Sequence, residues 1–342
     1  MNKNCLMKTK MKKTLLTSFR IVFFLAILAA ITRVMNFILV PSNWASIDRW
    51  EQYSEKEDVD TLFVGSSVGW VVVPRTIDGE NNCRCVNMST PNQFYKTSLE
   101  AVKFVCAQHP IDTVVLLTGF EGLESLEDYG AAEAFLKAQY ETAPVIKRES
   151  AVFAEKIKRY TDPVFLTSVD SMNIWFDWVE NTTYLLPEIY KNVAYRYGRL
   201  DKSYTLDMSK RIDRVEDCKP GFLRAEEDIR TAENLNLNSL DIDPRCLREL
   251  DAMAAYLEAN SIRFVVIVTP HRSDVAAGYG DEYGIIDSYL EDFVTKRGGK
   301  YYNIDIDPDL REKLPDDMFM DREHIVDEGN DIVSVKIAGL LR

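Results

Sequence analysis

The stretch that decides the fold is Thr61-Leu62-Phe63-Val64-Gly65-Ser66-Ser67. It begins as a short run of apolar and β-branched residues without alternation, which is typical of a strand covered on both faces. Gly65 then allows the backbone to turn sharply, and two serine hydroxyls follow at once. Because open parallel sheets bind ligands beyond the carboxyl ends of their strands, these serines are predicted to lie at a functional edge.

Further strands and helices alternate along the rest of the chain. Similar runs predict strands at 113–118, 263–269 and 300–304, with a weaker one at 84–88. Apolar residues at helical spacing predict helices within 97–108, 247–257, 285–293 and 329–341. Strands separated by helices imply parallel pairing through crossover helices, so residues 59–342 are predicted to form one α/β domain.

A long segment, about 125–240, interrupts this rhythm. It is rich in aromatic residues and has few strand signals. We interpret it as a mostly helical insertion between strands of the sheet, whose aromatic residues form its own core or a cover over the functional edge.

The amino-terminal residues have the pattern of a membrane anchor. Residues 1–40 carry seven basic groups and no acid, and the apolar stretch from Ile21 to Val40, interrupted by Arg33, is long enough to cross a bilayer. The pattern predicts a cytoplasmic basic tail at 1–13, a transmembrane signal anchor at 14–40 and a tether at 41–58, with the domain outside the cell. A cleaved signal peptide is the alternative.

Charge and cysteine usage exclude several functions. The whole chain carries −13 and its first 40 residues +7, so the remainder carries −20, which argues against nucleic acid as a ligand. Among six cysteines, Cys83-Arg84-Cys85 is spaced too tightly for a usual zinc-finger pair, and no C-x-x-C pair occurs. No disulfide pairing, metal site or cofactor is predicted.

A late acid–histidine pair complements the serines. Asp321 precedes His324 by three residues, close enough for the two side chains to meet on one tight loop. A serine at a strand end, with this pair, supplies a nucleophile, a general base and a group that orients the base. His271 also follows a predicted strand and is a candidate for substrate contact, whereas His109 before Pro110 is interpreted as structural.

The segments Val64-Gly65-Ser66-Ser67 and Asp321-Arg322-Glu323-His324 resemble the first and last blocks of the SGNH (GDSL-like) hydrolase superfamily. The resemblance covers about residues 59–123 and 262–341. It includes the cell-envelope branch of this superfamily, which contains DltD-like and alginate O-acetylation proteins. It implies a three-layer α/β/α flavodoxin-like fold with a parallel sheet. It also implies Ser67 as the nucleophile, with Ser66 as the alternative.

The blocks that supply the oxyanion hole in that family differ here. The family glycine is replaced within 87–93, and the usual Gly-x-Asn reads Gly119-Phe120-Glu121. The Ser67 amide, Asn92 and Gly119 are the remaining candidates for this role.

The resemblance therefore implies a membrane-anchored serine esterase or O-acyltransferase acting on an envelope polysaccharide or another acyl acceptor. A membrane-bound O-acyltransferase is the partner that it implies. Two alternatives stay open: a non-catalytic envelope scaffold that binds glycan or a membrane partner, and, less favoured, a phosphate-ester enzyme, for which the sequence lacks a carboxylate and histidine cluster.

Overall fold

The computed structural model describes residues 3–39, 49–50, 52–90, 93, 95–124, 154, 244–280, 282–319 and 321–342. The chain divides into two compact units, one of residues 1–42 with 153–201 and one of residues 43–152 with 202–342. The predicted insertion at about 125–240 lies outside the described residues except for Ala154.

The described part of the first unit is essentially one helix, α1 (Lys3–Leu39). It begins within the segment predicted as a basic tail, because nothing in residues 3–13 breaks a helix. Within it, Lys12–Thr32 forms a span of 21 residues with mean hydropathy 2.2, whose side chains are exposed. At 1.5 Å per residue such a span is about 30 Å long, the thickness of a bilayer core. By length and composition the helix could span a membrane or serve as a signal sequence.

The second unit is built on a parallel sheet. Its strands are β1 (Thr61–Gly65), β2 (Cys85–Asn87), β3 (Thr113–Thr118), β4 (Arg263–Val268) and β5 (Lys300–Asn303). They pair in the order β2-β1-β3-β4-β5, all parallel. The order reverses between β1 and β3, so their crossover connections leave on opposite faces and open a crevice at the carboxyl ends of these two strands.

Helices cover both faces of this sheet. They are α2 (Pro74–Asn81), α3 (Tyr95–Cys106), α4 (Glu121–Glu124), α5 (Pro244–Ala259), α6 (Ser273–Tyr279), α7 (Glu282–Thr295), α8 (Pro308–Lys313) and α9 (Asp327–Leu341). Val114 and Leu116 of β3 belong to the core shared with α3, α5 and α7. Val115 and Leu117 belong to the opposite core, shared with α2, α8 and α9. The predicted α/β fold with a parallel sheet is thus confirmed, with helices in two layers around it.

The segment predicted as a tether differs from that prediction. Residues 49–50 and 52–54 are helical, and Trp50 and Tyr53 are buried in the domain core. Their rings contact Phe104 of α3 at centroid distances of 4.9 and 6.1 Å. Buried aromatic rings of this kind contribute to the stability of a domain core, whereas the side chains of a free linker remain exposed. This part of 41–58 therefore belongs to the folded domain.

Candidate active site

Gly65 sets the course of the chain at the end of β1. Its φ is +152°, and a Cβ at this position would lie 2.1 Å from the Leu117 carbonyl oxygen on β3. Only glycine fits such a contact and such a φ. The first serines therefore leave the sheet directly beside β3, in the crevice where the strand order reverses.

The two serines have different surroundings. Ser66 is buried, whereas Ser67 is half-buried and opens a 3₁₀-helix, Ser67–Val71. The Gly69 N–H donates to the Ser66 carbonyl at 3.0 Å. Side chains three residues apart eclipse one another in a 3₁₀-helix, so Ser67 and Trp70 lie on the same side of this turn.

A buried asparagine at the end of β2 holds the 3₁₀-helix in place. The Asn87 Nδ2 donates to the carbonyl oxygens of Gly69 at 2.8 Å and Val72 at 3.1 Å, and its Oδ1 accepts the Ser89 N–H at 3.0 Å. A Cβ on Gly69 would lie 2.2 Å from the Ser89 Oγ, so the helix is packed directly on Ser89. These bonds fix the orientation of the turn that carries Ser67.

Asp321 and His324 lie on a loop closed at both ends. Phe319 and Ile325 form an antiparallel bridge across its base. The Arg272 N–H, from the segment that follows β4, donates to the Arg322 carbonyl at 2.9 Å. The loop is therefore anchored to the carboxyl edge of the sheet.

Within this loop the acid and the histidine meet. The Asp321 Oδ2 lies 2.7 Å from the His324 Nδ1, and its Oδ1 accepts the backbone N–H groups of Glu323 and His324 at 2.9 Å each. Burial opposes ionisation of Asp321, but the His324 hydrogen bond and charge, with the two backbone donors, hold its pKa down at about 2. An ionised acceptor at Nδ1 places the imidazole proton there and leaves Nε2 as the basic nitrogen.

The His324 ring packs against the helix that begins at Ser67. The ring centroids of His324 and Trp70 are 5.9 Å apart, tilted by 39°. Farther along, the Ser334 Oγ of α9 accepts the Val73 N–H at 2.9 Å. The structure thus brings the Asp321–His324 pair beside the turn that carries Ser67. The His324 Nε2 is buried and has no hydrogen-bond partner in the described part of the chain.

Three buried polar atoms near this turn lack hydrogen-bond partners among the described residues: His324 Nε2, Trp70 Nε1 and Ser89 Oγ. Such atoms are rare in folded proteins, because an unsatisfied buried polar group costs about 1–3 kcal/mol. Their concentration around one 3₁₀-helix is a feature of sites that bind a ligand or perform chemistry.

The other predicted site residues lie in different settings. The His271 Nδ1 is 3.5 Å from the Asp305 Oδ2, and Asp305 also accepts the His271 N–H at 2.7 Å and the Tyr283 hydroxyl at 2.6 Å. Burial opposes ionisation of Asp305, but His271 and the Arg311 guanidinium hold its pKa below the ordinary value. His271 therefore belongs to a buried ionic cluster, and its contact with substrate stays a prediction.

Gly119 follows β3 directly and is buried, and its carbonyl accepts the Thr118 hydroxyl at 2.8 Å. It lies at the expected edge of the sheet. Asn92 lies outside the described residues. Its proposed part in the oxyanion hole stays a prediction.

Trp70 and Asn87 were not among the site residues predicted from the sequence. The three-residue spacing from Ser67 to Trp70 was the available signal, but it becomes informative only once the segment is known to be a 3₁₀-helix. Asn87 could not be found from local patterning, because it acts on carbonyl groups 15 and 18 residues away.

No known family model matches the chain, and no curated protein matches it. Several solved structures are similar in backbone. One is a Bacteroides fragilis protein for which acylhydrolase activity has been suggested: 10% identity, TM-score 0.39, covering 87% of this chain and 96% of that one. Another is a Streptococcus pneumoniae protein suggested to be a platelet activating factor: 9% identity, TM-score 0.43, covering 92% and 99%.

A third is a GDSL-like lipase from Bacteroides thetaiotaomicron, with 10% identity and a TM-score of 0.38, covering 87% of this chain and 98% of that one. At such identities and TM-scores these likenesses do not assign an activity. The side chains of the site have to carry any functional assignment.

Proposed function

We propose that this protein is a serine esterase or O-acyltransferase that works through an acyl-Ser67 intermediate. The observation that carries the proposal is the His324 imidazole, held at Nδ1 by an ionised Asp321 and packed through its ring on Trp70. Its Nε2 is buried and has no hydrogen-bond partner among the described groups, so it is available to accept a proton. Ser67 lies on the Trp70 side of the same short helix.

The proposed reaction has two steps. The Ser67 Oγ attacks the carbonyl carbon of an ester while the His324 Nε2 takes its proton, and Asp321 stabilises the imidazolium that forms. When the tetrahedral intermediate collapses, His324 returns the proton to the departing alcohol oxygen, and the acyl group stays on Ser67. Water or another hydroxyl then attacks the acyl-enzyme by the reverse use of the same groups.

The negative oxygen of the intermediate needs donors near Ser67. Backbone N–H groups at the start of the 3₁₀-helix are suited to this role, because their partial positive charge is fixed before reaction. In our proposal the Ser67 amide is the main donor, with Gly119 lining the crevice from β3.

Hydrolysis and acyl transfer differ only in the second acceptor, so the triad alone does not separate them. We propose an acceptor on the cell envelope, an envelope polysaccharide or another hydroxyl-bearing polymer, since α1 could hold the domain at a membrane surface. A membrane-bound O-acyltransferase partner that supplies acyl groups is part of this proposal. The resemblance of the two sequence blocks supports both the envelope acceptor and this partner.

The test is covalent labelling of the full chain, purified in detergent, with a fluorophosphonate that reacts only with activated serines. We expect one adduct by intact mass, mapped to Ser67 by peptide analysis. Ser67→Ala and His324→Ala should abolish it, whereas Ser66→Ala, the matched control one residue away, should leave it intact.

Two other results would change the assignment. An adduct on Ser66 that survives in Ser67→Ala would keep the enzyme and move the nucleophile. No adduct in a protein with an intact circular dichroism spectrum would favour the non-catalytic scaffold, a reading consistent with the absence of an asparagine in Gly119-Phe120-Glu121.

A further inference from the structure

Three potential metal ligands converge at the amino end of the edge strand β2. The Sγ atoms of Cys83 and Cys85 are 3.1 Å apart, and the Cys83 Sγ lies 4.0 Å from the Asp78 Oδ1. The three ligand atoms all lie within 4.8 Å of one another. Asp78 comes from α2, so a helix and a strand contribute to one cluster.

The local backbone explains the convergence. Asn82 ends α2 in the left-handed conformation, φ 51°, and its N–H donates to the Asp78 carbonyl at 2.9 Å. The Cys85 N–H donates to the Asp78 Oδ1 at 2.7 Å, which fixes the carboxylate over the strand. The Cys83 Sγ lies 4.0 Å from the same carboxylate oxygen, so both cysteines meet Asp78.

We propose that Asp78, Cys83 and Cys85 bind a divalent cation of the zinc class. Two thiolates with one carboxylate form a ligand set that suits zinc and its softer relative cadmium. A fourth ligand would come from solvent on the side of Cys83, which is half-buried, whereas Cys85 is fully buried. The cluster is at the amino end of the sheet, opposite Ser67, so the inference does not depend on the proposed catalytic function.

A disulfide is the competing use of the same two thiols. Two thiolates on one tetrahedral zinc, at about 2.3 Å each, are about 3.8 Å apart. The observed 3.1 Å requires a smaller movement to reach that separation than to reach the S–S bond length of about 2.05 Å.

The Asp78 carboxylate of the cluster also attracts a cation of the protein itself. The Lys56 Nζ, 3.7 Å from the Asp78 Oδ2, is a cation already beside the cluster and would compete with the metal.

The experiment uses the full chain in detergent, reduced with a phosphine and freed of metal. It is titrated with Cd²⁺, read by the ultraviolet thiolate-to-metal absorption, and with Zn²⁺ against a chromophoric chelator. We expect one ion per chain, with the metal affinity lowered about 100-fold or more in Cys83→Ser. Loss of a side chain that only orients a metal ligand already lowers metal affinity by about 10–100-fold, and Cys83 is a proposed ligand itself. Lys56→Gln should tighten binding.

Cys106→Ser, a half-buried cysteine in α3, is the matched control and should bind as the parent does. Cys83→Ser is preferred over Cys85→Ser because the half-buried site tolerates a polar atom, and its melting temperature should match that of the control. The proposal is overturned if Cys83→Ser binds as tightly as the parent, or if the reduced chain binds no ion. A peptide containing 83–85 that is two hydrogens lighter in the isolated protein, and takes up no metal after reduction, would establish a disulfide instead.

Discussion

At the scale of single residues, Gly65 decides how closely the serine turn lies to β3. Replacing it with alanine would place a Cβ 2.1 Å from the Leu117 carbonyl oxygen and impose a φ of +152° on a residue with a side chain. Backbone strain and overpacking add, so Gly65→Ala should lower the free energy of unfolding by about 3 kcal/mol or more. Urea denaturation of the variant measures this, and fluorophosphonate labelling should slow with it.

The control for this substitution is Gly79→Ala in α2. A Cβ there meets no atom within 4 Å, and alanine is the better helix former, so we expect Gly79→Ala to raise the free energy of unfolding by about 0.5–1 kcal/mol. Equal urea midpoints for the two variants would show that a Cβ at position 65 fits beside the Leu117 carbonyl oxygen, and would contradict the close contact between β1 and β3.

Asp321 supports a second prediction at this scale, concerning catalysis. Asp321→Asn keeps an oxygen that can accept the backbone N–H groups of Glu323 and His324, but it no longer imposes the tautomer with a proton on Nδ1. Labelling of Ser67 should therefore slow on the order of 10³-fold or more. Asp317→Asn, on the exposed carboxylate four residues earlier, should react at the parental rate. Equal rates for the two variants would remove Asp321 from the proposed triad.

The same carboxylate predicts how stability depends on pH. Its pKa is about 2 in the folded protein against an ordinary value of 3.8, so its contribution is present above the ordinary value and is lost as pH falls through about 2. The side chain is partly exposed, which reduces the expected contribution to about 1–2 kcal/mol. The stability difference between parent and Asp321→Asn should shrink as the pH is lowered from about 5 to about 2. A difference that stays constant over this range would show that the carboxylate is not held ionised by the fold.

At the scale of elements, α9 and the 3₁₀-helix are tied by one buried hydroxyl. The Ser334 Oγ accepts the Val73 N–H at 2.9 Å and lies 3.1 Å from the Val71 carbonyl and 2.8 Å from the Asn330 carbonyl. Ser334→Ala leaves the Val73 N–H unsatisfied, which should cost about 1–3 kcal/mol. Because α9 follows the Asp321–His324 loop directly, Ser67 labelling should also slow.

Ser288→Ala in α7 is the matched control, since Ser288 is an exposed helical serine. Surface substitutions of this kind usually change stability by less than about 0.5 kcal/mol. Equal thermal midpoints for the two alanine variants would contradict the role of Ser334 as the connection between α9 and the 3₁₀-helix.

The strands were predictable from the sequence because their signal is local. Continuous apolar runs identified β1 and β3 at their observed bounds, and β4 and β5 to within one residue. The helices α2, α4, α6 and α8 were missed. They have eight residues or fewer, and α2 and α8 each bury a single apolar side chain, so they lack the repeated apolar spacing that a sequence pattern requires.

The site was only partly accessible to sequence reasoning. The spacing of Asp321 and His324 on a short loop suggested that they meet, and their 2.7 Å contact is of this kind. The packing of Trp70 on His324 joins residues more than 250 positions apart. The hydrogen bonds that Asn87 donates to the 3₁₀-helix depend on the register of β2 beside β1. Such contacts follow from the tertiary fold, and a single sequence carries no pattern for them.

At the scale of the whole molecule, the chain combines an acidic domain with a basic, apolar amino-terminal helix. The span Lys12–Thr32 has a mean hydropathy of 2.2 and is preceded by basic residues. Transfer of about 20 apolar residues into a bilayer is strongly favourable, and the basic flank favours the cytoplasmic side. The domain of residues 59–342 would then face outward, which remains a prediction.

Membrane fractionation of the expressed protein tests this organisation. The full chain should sediment with membranes and resist alkaline extraction, because an uncleaved helix stays in the hydrocarbon core, whereas a chain beginning at Asn43 should stay in the supernatant. Intact mass separates the remaining possibilities. A protein with an uncleaved anchor keeps its first 40 residues, whereas a protein whose signal peptide has been cleaved does not. A full-length chain that is unprocessed and released by alkali would show that α1 does not span a bilayer, and the proposed envelope acceptor would lose its main support.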